Sequence, residues 1–176
     1  MLTRLVVSGF KSLGDVDVGF PQLTVLFGPN AAGKSNLLDS VQALSRIGTS
    51  RTLSDALSEP IRGYPIEAFG FPPGGLTQLL SQDIARFTLE ADVQAGGRER
   101  FRYRVAVEIQ PKSGSVVVRD EHLIALSAKG EPKGAAAIDR EGDYLLLRRK
   151  SHTGRPRREP IGQNYAMLSD QRLGGA

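Results

Sequence analysis

Two periodicities divide this chain. In one stretch Phe87, Leu89, Ala91 and Val93 alternate with Thr88, Glu90, Asp92 and Gln94. In the next, Phe101, Tyr103, Val105, Val107 and Ile109 alternate with Arg100, Arg102, Arg104, Ala106 and Glu108. A period of two marks strands with one dry and one wet face. Gly96-Gly97 between the runs predicts a hairpin. Pro111 to Gly114 predicts a second turn, followed by a third strand from Ser115 to about Leu126, and Tyr144 to Leu147 reads as a fourth. Earlier, Leu2 to Val7 and Val16 to Phe20 read as strands joined by a turn at Ser12 to Asp15, and Leu23 to Phe27 as a short buried strand. After Ser35 the period changes. Leu37, Leu38, Val41, Leu44 and Ile47 recur at helical spacing, and Gly48 supplies a stop. Thr52 to Leu57 predicts a short helical turn and Leu76 to Gln82 another short helix. Glu59 to Gly75, rich in Pro and Gly, predicts irregular structure.

Between the apolar run and the helix lies Gly28-Pro29-Asn30-Ala31-Ala32-Gly33-Lys34-Ser35. It satisfies the phosphate-loop pattern G-x-x-x-x-G-K-[ST] at every constrained position. The glycines let the backbone turn its N–H groups toward a phosphate. Lys34 can reach the β and γ oxygens, the Ser35 hydroxyl can ligate Mg²⁺, and the helix start adds partial positive charge. The competing reading is a glycine-rich turn with an incidental lysine. A strand before and a helix after select the phosphate loop.

Composition narrows the rest. A chain of 176 residues can bury one core with an appended subdomain. It has no cysteine, which excludes disulfides and thiolate metal sites. His122 and His152 are isolated and do not form a metal cluster. No apolar run approaches the ~20 residues of a membrane span. Arg4, Lys11 and Asp15 interrupt the N-terminus where a signal peptide would be apolar, so a cytoplasmic protein is expected. The net charge of +4 is mild and says little about nucleic acid. Two basic groups stand out. Arg100, Arg102 and Arg104 share a strand face, but either hairpin register brings Glu90 and Asp92 beside them, so cross-strand pairing is expected. Arg148, Arg149, Lys150, Arg155, Arg157 and Arg158 surround His152 in a stretch that Gly154 and Pro156 mark as a loop. It is a candidate for nucleic-acid contact, although no aromatic residue is interleaved for base stacking.

Leu5-Val6-Val7-Ser8-Gly9-Phe10-Lys11-Ser12-Leu13, Phe20 to Phe27, and the loop running into Ser35-Asn36-Leu37-Leu38-Asp39-Ser40 resemble the N-terminal segment of ABC-type ATPases of the RecF, SMC and OLD-nuclease group. Asn30 and Asn36 are typical of that group. Ala32 stands where many members have glycine or serine. Phe101 to Val105 followed by Val118 to Leu123 resembles, more loosely, the antiparallel sheet of the RecF-like ATPases. The resemblance implies an α/β fold: the N-terminal lobe of an ABC-ATPase-like P-loop NTPase with an appended antiparallel β subdomain. Residues 1–84 would form the nucleotide-binding lobe, 85–150 the β subdomain, and 151–176 a basic loop and tail. It implies ATP and Mg²⁺ as cofactors, with nucleotide contacts from Gly28, Pro29, Asn30, Ala31, Ala32, Gly33, Lys34, Ser35 and Asn36, and Ser35 on the metal. Lys11 and Ser12 match a family position near the nucleotide. An exposed turn explains those two equally well.

Hydrolysis needs a second Mg²⁺ ligand and a residue that orients water. In the group these lie on an apolar strand ending in Asp-Glu, near an LSGG-type loop. The nearest stretch here is Val116 to Glu121, where Arg119 breaks the apolar run. Asp120 and Glu121 are therefore weak catalytic candidates and read as sheet-edge or turn residues. No LSGG-like loop occurs, and Gln78 and Gln82 are the candidates for the group's Q-loop glutamine. The expectation is an N-terminal lobe whose second half lies elsewhere. It would bind ATP, turn over only with that half and by dimerisation across the nucleotide, and expose apolar surface when alone. A non-hydrolysing, nucleotide-controlled interaction module is the alternative. A small-molecule kinase fits less well, because two strands precede the loop. A purely structural or nucleic-acid-binding β domain would leave the loop unexplained.

Overall fold

The computed structural model describes residues 1–58, 61, 63–97, 99–148 and 155–169. One sheet of eight strands carries them: β1 (Leu2–Phe10), β2 (Leu13–Gly19), β3 (Ala85–Ala95), β4 (Glu99–Gln110), β5 (Ser115–Leu126), β6 (Ile138–Glu141), β7 (Tyr144–Leu147) and β8 (Arg157–Pro160). Their order is β2-β1-β3-β4-β5-β6-β7-β8, and each neighbouring pair is antiparallel. Three helices connect β2 to β3: α1 (Lys34–Ile47), α2 (Leu53–Ala56) and α3 (Gly75–Ser81). The sheet runs continuously across the boundary expected at residue 84, because β1 pairs directly with β3.

The predicted alternation selects the faces. Leu5 and Val7, Phe87 and Leu89, Val105 and Val107 are buried on one side. They pack with Leu37, Ala43 and Ile47 of α1 and with Leu53, Leu57 and Leu79 in a single cluster. Phe87 is the hinge of this core. Phe10 meets its ring edge-on at 5.3 Å and Phe69 lies tilted at 4.9 Å, geometries that favour aromatic pairs beyond their area burial. Leu38, expected on the helix's apolar stripe, is exposed. A smaller cluster of Ile138, Leu145, Leu147 and Met167 closes the far end.

The opposite face is a charge ladder. Arg4 binds Asp17 at 2.7 Å and Glu90 at 3.1 Å. Arg102 grips Asp92 through two bonds of 2.7 and 2.8 Å. Arg104 reaches Asp120 at 2.9 Å, and Arg86 reaches Glu108 at 2.6 Å. The Asp92 bond raises the Arg102 guanidinium above its usual value. Of the arginine stripe, Arg102 is neutralised by Asp92 and Glu90 as expected, Arg104 is taken by Asp120 of the next strand, and Arg100 donates to the Ala128 carbonyl at 2.8 Å.

Several sequence expectations change. Leu23 to Phe27 is not a strand. Val25 is 71% and Phe27 89% exposed, and no strand among the described residues pairs with it. An apolar strand holds only where partners satisfy its backbone and cover its side chains, and β2 continues away at the sheet edge. The first turn sits at Lys11-Ser12, because β1 runs on to Phe10 and β2 begins at Leu13. The stretch expected to be irregular contains a 3₁₀ turn at Pro65–Ala68 and a bridge from Phe69 to Phe10. Part of the basic segment expected as a loop is β8, which pairs with β7. β6 lacked a clear alternation and was not expected. Arg149, Lys150, His152 and Gly154 lie outside the described residues.

Gly9 fixes the approach of β1 to β3. Its φ is +70°, and a Cβ there would lie 2.7 Å from the Arg86 carbonyl oxygen. Gly130 has φ +82° with open space around it. Gly130→Ala should cost about 1 kcal/mol, the strain of a left-handed backbone alone. Gly9→Ala should cost at least twice that, because a backbone oxygen must also move. Denaturant midpoints of the two variants measure the difference.

Candidate functional site

The loop from Gly28 to Ser35 leaves the exposed segment and enters α1. Gly28 and Gly33 have φ of 147° and 86°, values that glycine adopts without strain. Ala31 holds φ 64°, an outlier for a residue with a Cβ, of the kind that collects at ligand clamps. Leu37 N–H donates to the Gly33 carbonyl at 2.9 Å, beginning the helix. No side chain caps the helix N-terminus and no acidic residue occupies its first turn. Its terminal N–H groups and partial positive charge therefore face the loop uncompensated. Lys34 folds back over the loop, its Nζ donating to the carbonyls of Gly28 (2.8 Å) and Pro29 (2.7 Å). Ser35 is exposed beside it. This donor set fits a phosphate chain: one cation held over the loop, open backbone N–H groups and a hydroxyl able to take a metal. Among the described residues no three His, Asp or Glu side chains cluster to hold a metal ion.

The β1–β2 turn sits on this loop. A Cβ on Gly33 would meet Leu13 Cδ2 at 3.3 Å and Ser12 Oγ at 3.7 Å. Asn36 Nδ2 donates to Ser12 Oγ at 2.7 Å. Lys11, at φ 50°, donates through Nζ to Asp39 Oδ2 at 2.6 Å. The turn is held from the other side as well. Lys11 N–H donates to the Ala68 carbonyl at 3.0 Å, and Gly70 N–H to that of Gly9 at 2.7 Å. A cavity of about 530 Å³ opens where these elements meet, walled by Lys11, Ser12, Asn36, Glu67, Phe69 and Phe71. The structure thus brings Lys11, Ser12 and Asn36 together. The sequence reading missed Asp39, Glu67, Phe69 and Phe71. For Asp39 a signal existed: it stands on the buried side of α1, between Leu37 and Ala43, where an acid needs a partner.

The weaker candidates are otherwise engaged. Asp120 and Glu121 lie within β5, in the sheet interior rather than at an edge or turn. Opposite the single step from Ala106 to Val107, β5 takes two, from Asp120 to Val118. The extra residue, Arg119, is a bulge that inverts the alternation, so Glu121 points into the core and is fully buried. There it accepts from Met167 N–H (2.7 Å), Leu168 N–H (2.8 Å) and the Tyr103 hydroxyl (3.0 Å). Burial raises its carboxyl above the ordinary value against the pull of those donors. Burial, and then the nearby Glu121 charge, raise the Tyr103 hydroxyl well above its own. Gln78 Oε1 accepts from Gly74 N–H at 2.7 Å, closing the start of α3, and Gln82 ends that helix. In the basic segment, Arg158 stacks on Tyr144 with its guanidinium carbon 4.5 Å from the ring centroid, and Arg157 binds Glu159. Arg148 donates to the Ala136 carbonyl, and Arg155 is exposed.

Glu121→Gln replaces an acceptor with an amide that can satisfy only one of the two tail N–H groups. It should cost about 1–3 kcal/mol and speed hydrogen exchange at Met167 and Leu168 more than in β3 and β4. Amide exchange by NMR reads both.

Comparison with known proteins completes the picture. The profile of the family described as "AAA domain, putative AbiEii toxin, Type IV TA system" matches residues 23–172. The chain is similar to the DNA replication and repair protein RecF of Streptomyces avermitilis, 29% identical over 119 residues, 67% of this chain and 30% of that protein. It is also similar to RecF of Paenarthrobacter aurescens, 25% identical over 98% of this chain and 42% of that protein. This chain thus spans less than half the length of either relative. A solved chain from work on ATP-driven dimerization and DNA-stimulated activation of SMC ATPases superposes with a TM-score of 0.40 at 17% identity, covering 76% of this chain and 72% of that one. With a family match over most of its length, the chain belongs to this AAA-domain family of P-loop ATPases, and it is similar to RecF.

Proposed function

We propose that this chain is the ATP-binding part of a RecF/SMC-like ATPase that acts in the cytoplasm, in DNA repair and maintenance or in defence against phage. The observation that carries the reading is the uncapped start of α1 with Lys34 poised over the preceding loop. Residues Gly28 to Asn36 hold the phosphates, and Ser35 ligates Mg²⁺. Lys34 leaves the two loop carbonyls for the β and γ oxygens, which offer it full negative charge. The adjacent cavity takes the nucleoside: Phe69 and Phe71 supply apolar wall, and Ser12, Asn36 and Glu67 supply polar groups. Its volume lies in the range of small-ligand sites.

Turnover depends on groups supplied from elsewhere, from another segment or a second subunit closing across the nucleotide. Two features support this. Glu121 spends both oxygens on the tail. Leu23, Val25 and Phe27 leave apolar side chains uncovered beside the loop, a surface suited to a further partner. Nucleic acid, if bound, meets the segment around Arg155. Arg4, Arg86, Arg102 and Arg104 on the open sheet face are paired with acids and offer phosphates little.

The test is ATP binding and steady-state turnover by the chain beside Lys34→Ala. Wild type should bind Mg-ATP, and Lys34→Ala should lose at least tenfold in affinity, about 1.4 kcal/mol. Neither should turn over ATP alone. Lys34-dependent turnover by the isolated chain would refute the dependence on a second part, and equal affinity of the two proteins would refute the phosphate site.

A further inference from the structure

Asp39 is one of only four buried polar or charged residues in the described core, 6% exposed, on the helix that begins at the phosphate loop. A carboxylate there costs free energy unless a cation and hydrogen bonds offset it. Lys11 Nζ lies 2.6 Å away, and both side chains are about nine-tenths buried. Lys11 reaches Asp39 from a turn that holds a left-handed backbone, is clamped to Ala68, and touches the loop at Gly33. Lys11 also lines the cavity beside Asn36. A lysine stem has four rotatable bonds and ordinarily disperses its charge over many rotamers. Here the carboxylate selects one.

We propose that Asp39 is a positioning residue for nucleotide binding: by gripping the Lys11 ammonium it holds Lys11 at the cavity wall, on the turn that meets the phosphate loop. The inference rests on the reading that Gly28 to Asn36 binds nucleotide. Asp39 does not touch the ligand. It acts through Lys11, and its effect must vanish when Lys11 is gone. A merely structural role would persist.

The experiment is a double-mutant cycle on the full chain, with Mg-ATP affinity from titration calorimetry and a Tm for each variant. Asp39→Asn and Lys11→Met should each weaken ATP binding about tenfold, and Asp39→Asn should add less than a twofold loss in the Lys11→Met background. Asp39→Glu keeps the charge but moves it by one methylene, so it should lose less than Asp39→Asn. It carries the same cycle if the asparagine variant does not fold. An equal loss from the Asp39 substitution in both backgrounds overturns the proposal. So does unchanged or tighter binding by Asp39→Asn while Lys34→Ala still loses affinity, and that result leaves the phosphate site standing. Unchanged affinity in Lys34→Ala overturns the nucleotide reading and this proposal with it.

Discussion

The β1–β2 turn is the constraint on which the site depends. Three residues there are held from three directions: Phe10 by the ring of Phe87 and a backbone bridge to Phe69, Lys11 by Asp39, and Ser12 by Asn36. The first contact belongs to the core, the second is a buried ion pair and the third a hydrogen bond close to the surface. Together they fix the rotation of α1 about its axis, because Asn36 and Asp39 are three residues apart and share a helix face. The loop before α1 inherits that orientation. A loop with left-handed positions at Gly28, Ala31 and Gly33 has little stiffness of its own. It is precise only if the elements at its ends are precise.

Much of this was legible in the residues. Alternation placed β3 and β4, and the register sets Asp92 opposite Arg102 and Glu90 opposite Arg104, one of the two registers the charge pattern allows. The loop was legible because its chemistry constrains residue type at each of four positions. Three things were not. The 3₁₀ turn after Tyr64 and the burial of Phe69 depend on contacts with β1, which no local pattern carries. The direction of Glu121 depends on a bulge, and one inserted residue reverses the inside and outside of everything beyond it. Leu23 to Phe27 has the composition of a buried strand. Composition reports what a segment suits, not whether a neighbour is there to cover it.

Glu121 shows how one such insertion reorganises a region. Without the bulge at Arg119, Asp120 would face the core and Glu121 the charge ladder. With it, Asp120 joins Arg104 on the wet face, and Glu121 becomes the anchor for the tail. The tail in turn reaches the helices: Leu53 N–H donates to the Asn164 carbonyl, and a Cβ on Gly48 would meet Leu168 at 3.2 Å. A carboxylate in the middle of the sheet is therefore linked through the tail to the far end of the helix that starts at the phosphate loop.

The strand order also has a kinetic consequence. β3, β4 and β5 are joined by tight turns and can zip together locally. β1 must find β3 across the whole of α1, α2 and α3, as the bond from Gln94 N–H to the Met1 carbonyl illustrates. Closing a connection of that length carries an entropic cost that short hairpins avoid. Joining the β1–β2 hairpin to the meander is thus the longest closure in the sheet. Because that hairpin carries the turn that orients α1, the phosphate loop takes its finished shape only when that closure is made, and anything that binds the finished loop favours it.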